Sequence, residues 1–71
     1  MNRIGVESSN IKAIGYNEVD QIMEVEFKSG QVYTYIEVPK PAYDNLMASD
    51  SKGACFNVTI RNKYKFQKEN K

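Results

Sequence analysis

Basic and aromatic side chains alternate near the end of this 71-residue sequence, in the segment Arg61-Asn62-Lys63-Tyr64-Lys65-Phe66. Cationic side chains form ion pairs with phosphate groups, and aromatic rings stack on the bases of single-stranded nucleic acid. The alternation therefore predicts binding of RNA or another single strand, with Arg61, Lys63, Tyr64 and Lys65 as ligand-binding residues. The alternative is that Tyr64 and Phe66 complete the hydrophobic core while the lysines point to water.

Ser51 and Lys52 are two further candidate ligand-binding residues. Ser51 is a favourable N-cap for a helix that begins at Lys52, and Gly53 follows it. Helix N-termini and arginine side chains both suit phosphate groups. The alternative to RNA binding is therefore an oligomer that captures a small anionic nucleotide between its subunits, with Arg61, Lys63 and Tyr64 beside the cap at Ser51 and Gly53.

The residue types that catalysis most often requires are missing or isolated. The sequence has no histidine, which is the usual general base near neutral pH and the commonest transition-metal ligand. Cys55 is the single cysteine, and its apolar neighbours at helical spacing predict a buried packing thiol. Glu24 and Glu26 share one strand face, where we favour a solvated hairpin surface over the paired carboxylates of a glycosidase. We predict a protein that is not an enzyme, with no catalytic residues, no metal and no cofactor.

Length and composition indicate one small domain with a marginal core. At 71 residues and 41% hydrophobic composition, the chain has neither a disulfide pair nor histidine ligands to reinforce its fold. Self-association is the remaining common means of stabilisation, so we predict a homo-oligomer. No apolar run is long enough for a membrane span or a secretory signal, which predicts no membrane partner and a reducing, cytoplasmic location.

Charge is divided unevenly along the chain. Residues 1–50 contain four basic and eight acidic side chains, whereas residues 51–71 contain six basic side chains and one acidic one. A basic end that follows an acidic body is either a solvated terminus or an attractive surface for phosphate groups.

The segment Gln31–Val38 is the most clearly predicted strand, because almost all of its residues favour strands and it lies between Gly30 and Pro39. Before it, residues 21–27 alternate in polarity, and Lys28-Ser29-Gly30 is typical of a three-residue hairpin loop. A loop of this length places Val25 opposite Tyr33 and Met23 opposite Tyr35, so that both tyrosines face the core. A two-residue loop would instead turn both rings toward water.

The remaining elements complete a prediction of the α+β class. Residues 11–16 form a strand in which Gly15 indicates a bulge or a close backbone approach, and residues 63–67 form a last strand. Helices are predicted over residues 41–48 and 52–62, although β-branched residues within the second also fit a partly extended segment. The expected architecture is a small antiparallel β-meander of three to four strands covered by two short helices. The domain spans residues 6–67, and residues 1–5 and 68–71 are flexible ends.

The order of these signals resembles a known family. The matching features are Ser8-Ser9, Ile14-Gly15-Tyr16, Phe27, Gly30, Tyr33-x-Tyr35, Val38-Pro39, Ser51-x-Gly53, Phe56-Asn57 and Ile60-Arg61. Together they resemble the KTSC domain, named after a C-terminal segment of some lysyl-tRNA synthetases and found alone in short bacterial and phage proteins. The resemblance implies a microbial or viral source and a suggested role in RNA binding, and it supplies no catalytic residues.

We therefore predict a non-enzymatic binding module whose ligand is RNA. Two alternatives remain open at this point, namely a homo-oligomer that sequesters a small anionic nucleotide and a protein-interaction module that uses an unpaired sheet edge.

Overall fold

Five antiparallel strands form one sheet in the computed structural model, which describes residues 3–69. The strands are β1 (Arg3–Gly5), β2 (Ile11–Asn17), β3 (Ile22–Phe27), β4 (Val32–Tyr35) and β5 (Phe66–Glu69), and the helices are α1 (Lys40–Ala48) and α2 (Lys52–Thr59). The strands lie in the sheet in chain order, so each one pairs with its neighbours in sequence. This confirms the predicted α+β class and the antiparallel meander, with one strand more than expected.

The additional strand is β1, which lies in a segment predicted to be a flexible end. Gly5 pairs with Ala13 of β2, and the Arg3 guanidinium contacts the carboxylates of Glu24 at 2.9 Å and Glu26 at 3.3 Å. These ion pairs and the ladder hydrogen bonds explain why the segment is ordered. At the other end, β5 runs from Phe66 to Glu69 rather than over residues 63–67, so Lys68 and Glu69 are paired as well. The other residues of the predicted flexible ends, 1–2 and 70–71, lie outside the described residues.

The register of the β3–β4 hairpin is the one that the three-residue loop predicts. The Phe27 amide donates to the Gln31 carbonyl at 2.9 Å, Val25 pairs with Tyr33, and Met23 pairs with Tyr35. Gly30 has a φ of 97°, a conformation that costs glycine little and other residues much. Both tyrosines therefore face the core side of the sheet.

The irregularity in β2 lies beside Lys12 and not at Gly15, where the sequence indicated it. The pairing of β2 with β3 shifts between Ile11 and Ala13. An extra residue at this point brings Ile11 to the same side as Ile14, and both are fully buried in the core. The bulge explains why the polarity of β2 alternates so weakly.

The two helices cover one face of the sheet. Pro41 lies in the first turn of α1, where its missing amide proton costs no hydrogen bond, and Leu46 is the residue that α1 buries fully. Helix α2 buries Phe56 and ends at Thr59, three residues earlier than predicted. The amides of Ile60 and Arg61 both donate to the Phe56 carbonyl, so the chain leaves the helix in a tight turn. Ser51 precedes α2 as predicted, but within residues 3–69 its side chain makes no capping hydrogen bond.

The opposite face of the sheet carries the acidic side chains of β3. Glu24 and Glu26 are half-buried beneath Arg3, and Lys12 lies 3.9 Å from Glu26. Ion pairing to an arginine suits a structural role for these carboxylates better than acid–base chemistry. No helix within the described residues is both long and apolar enough to cross a membrane.

Candidate functional site

A cleft of about 690 Å³ opens between the β3–β4 hairpin, the C-terminal end of α2 and β5. Five aromatic side chains line it, namely Phe27, Tyr33, Tyr35, Phe56 and Phe66. Its size falls within the range of small-molecule binding sites. The cleft is therefore a reasonable candidate for a binding site.

The rings of the cleft form a connected cluster around Tyr33. The Tyr33 ring stacks on Phe66, with centroids 5.2 Å apart, and meets the edge of Phe27 at 5.4 Å. The alternation of β4 places Tyr33 and Tyr35 on the same face, and pairing with β5 puts Phe66 opposite Tyr35. Tyr35 is 1% exposed, whereas Phe66 is 52% exposed. The cluster thus extends from the core to an open ring at the mouth of the cleft.

The rim of the cleft is polar and carries positive charge. Lys28 and Arg61 provide the cations, and the amide side chains are those of Asn10, Gln31, Asn57 and Asn62. Among residues 3–69, those that line the cleft include no aspartate or glutamate. A concave site with an aromatic floor and a cationic rim matches a ligand that combines a flat ring with a negative charge.

Comparison with known proteins identifies the family. The family model of the KTSC domain matches residues 7–64 of the chain. The chain belongs to the KTSC domain family. In a KTSC domain protein from Yersinia pestis, whose crystal structure is known, the same fold recurs with a TM-score of 0.91 and 36% identity over 97% of both chains.

Two kinds of relative share this KTSC domain. A protein from Stutzerimonas stutzeri is 39% identical over 61 residues, which make up 86% of each chain. A lysine–tRNA ligase from Nostoc punctiforme is 41% identical over 61 residues, which make up 86% of this chain and 11% of the ligase. The domain therefore occurs both as nearly a whole chain and as a small part of a larger enzyme.

Of the residues predicted to bind a ligand, the KTSC fold places only Arg61 at the cleft. Lys63 and Lys65 are exposed in the turn between α2 and β5, and Tyr64 packs against the core. Ser51 and Lys52 line a separate depression of about 310 Å³. The six residues therefore do not form one site.

The depression beside Ser51 is poorly suited to an anion. Glu7 and Asp50 also line it, and their carboxylates would repel a phosphate group. The Lys52 ammonium donates to the Ser49 carbonyl at 2.9 Å. The predicted use of the α2 N-terminus thus gains no support from its surroundings.

Sequence reasoning missed most of the polar rim. Asn10, Lys28, Asn57 and Asn62 come from different loops and from α2, and no spacing in the sequence connects them. The Lys28 amide donates to the Asn10 carbonyl at 2.8 Å, which joins the hairpin loop to the segment before β2. Of these residues, the sequence indicated only Lys28. The predicted hairpin register places it in the loop beside the aromatic rings of β3 and β4.

Burial changes the acidity of the Tyr35 phenol at the back of the cleft. Loss of solvent raises the pKa of Tyr35 to about 12, with the neighbouring Tyr33 acting in the same direction and the positive charge of Arg61 in the opposite one. In the unfolded chain a tyrosine has a pKa of about 10. Tyr35 is therefore a neutral phenol throughout the physiological range.

We expect the contribution of Tyr35 to stability to be fully present below a pH of about 10 and to disappear as the pH rises to about 12, because only the unfolded state ionises freely in that range. In Tyr35→Phe, the free energy of unfolding should fall less steeply between a pH of about 10 and about 12. Urea titrations followed by circular dichroism at several pH values would measure this fall. Tyr43→Phe, which removes a phenol from α1, is the matched control. Equal declines in Tyr35→Phe and the unsubstituted protein would contradict the prediction.

Proposed function

We propose that this KTSC domain is a non-enzymatic module that binds single-stranded RNA, with one unpaired base in the aromatic cleft. The observation that carries the proposal is the half-exposed Phe66 ring, stacked on Tyr33 at 5.2 Å at a cleft mouth that also holds Arg61. An exposed aromatic ring supported by a second ring is a suitable platform for a base.

Charge at the cleft supports the same ligand. Lys28 and Arg61 lie on the rim, where they would meet the phosphates on either side of an inserted base. Lys68 pairs with Tyr33 in the β4–β5 ladder, so it lies at the same edge of the sheet. The exposed Lys63 and Lys65 lie just before β5 and would meet phosphates further along the strand. Arg61 at the cleft and the three lysines in or just before β5 would thus offer several cations to one strand of RNA.

The relatives favour RNA over other single strands. The lysine–tRNA ligases that contain a similar domain are named for a reaction on tRNA. A domain that forms 11% of such an enzyme is small enough to act as an accessory contact for its nucleic acid. An unpaired nucleotide of a folded RNA would present both a free base and flanking phosphates.

A free nucleotide is the second candidate ligand, and the size of the cleft favours it. A cleft of about 690 Å³ is large enough for one nucleotide, and it contains both an aromatic floor and cations. Competition between a labelled oligoribonucleotide and unlabelled mononucleotides would separate the two ligands. The predicted homo-oligomer and the cytoplasmic location stay predictions, as does the protein-interaction alternative.

Binding of a fluorescent single-stranded oligoribonucleotide, measured by anisotropy, should weaken as salt increases. Contacts from Lys28 and Arg61 to two phosphates predict a slope of log affinity against log salt of about −1.4, which Arg61→Ala should reduce to about −0.7. Additional contacts from the lysines near β5 would make both slopes steeper by the same amount.

Lys12→Ala provides the matched control for Arg61→Ala. It removes one positive charge beside Glu26, on the face of the sheet away from the helices, and should leave the slope unchanged. Binding that does not respond to salt, or a Lys12→Ala effect as large as that of Arg61→Ala, would contradict the proposed interface.

A further inference from the structure

The rim of the cleft contains more amide side chains than charged ones. Asn10, Gln31, Asn57 and Asn62 all line it, compared with two cations. Asn10 lies in the loop before β2, and Gln31 directly precedes β4. Asn57 belongs to α2, and Asn62 lies in the turn that follows α2. Four amides that are far apart in sequence thus meet at one opening.

Amides and cations serve different parts of a nucleotide. A phosphate group offers only acceptors, which a lysine or an arginine satisfies with charge as well as hydrogen bonds. A side-chain amide offers a donor and an acceptor next to each other, which is the arrangement found along the edge of a base. An amide-rich rim around aromatic rings is therefore better matched to a base edge than to phosphate alone.

Among residues 3–69, the side chains of Asn57 and Asn62 form no hydrogen bond and do not lie against another element of the fold. The Gln31 side-chain oxygen accepts from the Tyr33 hydroxyl at 3.5 Å, and the Asn10 side chain lies against Gly53 at the start of α2. Asn57 and Asn62 are exposed, and each follows a residue that also lines the cleft, namely Phe56 in the ring cluster and Arg61 on the rim. Both residues therefore belong to the lining of the cleft and are accessible to a ligand.

We infer that Asn57 and Asn62 read the edge of the unpaired base, so that the cleft selects among bases and favours adenine. The inference rests on the proposed function. The edge that the amides read is the one that carries N6 and N7 in adenine, where a donor and an acceptor lie side by side and pair with one asparagine side chain through two hydrogen bonds. Cytosine and uracil each present a single polar group at the corresponding edge. Guanine presents two acceptors at the same edge and would instead require Arg61 or Lys28, which the phosphates engage.

The test compares five short oligoribonucleotides that differ at one position. Each has three uridines on either side of a central adenosine, cytidine, guanosine, uridine or abasic site, and the same anisotropy titration measures all five. We expect the adenosine strand to bind about tenfold more tightly than each of the other four strands. In the double variant Asn57→Ala/Asn62→Ala this preference should fall to about twofold or less, while the affinity for the abasic strand stays the same.

Asn45→Ala is the matched control, since it removes an exposed amide from α1, and it should keep the tenfold preference. Thermal unfolding of each variant by circular dichroism separates lost recognition from lost folding. Equal affinities for all five strands, or a preference for guanosine that survives the double variant, would overturn the inference and leave RNA binding in place. Absence of binding to every strand would overturn the proposed function and the inference together.

Discussion

Leu46→Ala is expected to lower the free energy of unfolding by about 2–5 kcal/mol, which is the usual range for truncation of a fully buried leucine. Leu46 has no exposed surface and is the residue through which α1 enters the core. A domain of this length has a total stability of roughly 4–10 kcal/mol. The substitution should therefore remove a large share of the protein's stability.

Urea titration followed by far-ultraviolet circular dichroism measures this effect, with the midpoint falling and the slope unchanged. Val58→Ala is the matched control, because it truncates an apolar helix residue that is 82% exposed and should change stability by less than about 0.5 kcal/mol. A Leu46→Ala midpoint equal to that of Val58→Ala would show that α1 does not contribute to the core as the structure indicates.

The predicted sheet was largely correct because its signals are local. Loop length and the alternation of Met23, Val25 and Phe27 together determine which residues face each other in the hairpin, and the positive φ of Gly30 fits the predicted loop. The bulge beside Lys12 was not predictable in the same way. It depends on Ile11 and Ile14 both reaching the core, which is a property of the assembled sheet.

The strand β1 and the last residues of β5 were not predicted, for a related reason. Three residues of β1 carry almost no strand signal, and their order depends on Arg3 meeting two glutamates more than twenty positions away. A similar long-range contact joins β2 to α1, where Tyr16 stacks on Tyr43 at 4.5 Å and donates its hydroxyl to the Val38 carbonyl. Such long-range contacts depend on how the strands and helices are arranged in space. The spacing of apolar residues along the sequence does not specify that arrangement.

The sequence predicted only part of the candidate site, because only some of its residues form a recognisable pattern. Arg61 and Phe66 are close in sequence, so the alternation of cations and rings indicated a binding segment that the fold brings to the cleft. Lys63 and Lys65 belong to the same run, yet the early end of α2 places them in an exposed turn. The asparagines on the rim have no distinguishing spacing, and only the folded chain shows that they share one opening.

Phe66→Ala should weaken binding of single-stranded RNA about 5–150-fold, because loss of a stacking ring costs about 1–3 kcal/mol per base. The ring is half-exposed on an edge strand, so its removal should affect stability much less than the truncation of Leu46. Competition titrations with the same labelled strand would measure the change. The substitution should weaken binding of both adenosine and uridine strands, since every base has a face that can stack on an aromatic ring.

Two further substitutions at the same position separate stacking from simple burial. Phe66→Tyr keeps a flat aromatic face and should bind within about threefold of the unsubstituted protein, whereas Phe66→Leu keeps apolar volume without that face and should resemble Phe66→Ala. If Phe66→Leu binds RNA as well as Phe66→Tyr does, the ring acts only as apolar cover for Tyr33 and Tyr35. The base would then have to lie elsewhere on the surface, and the cleft would lose its role as the binding site.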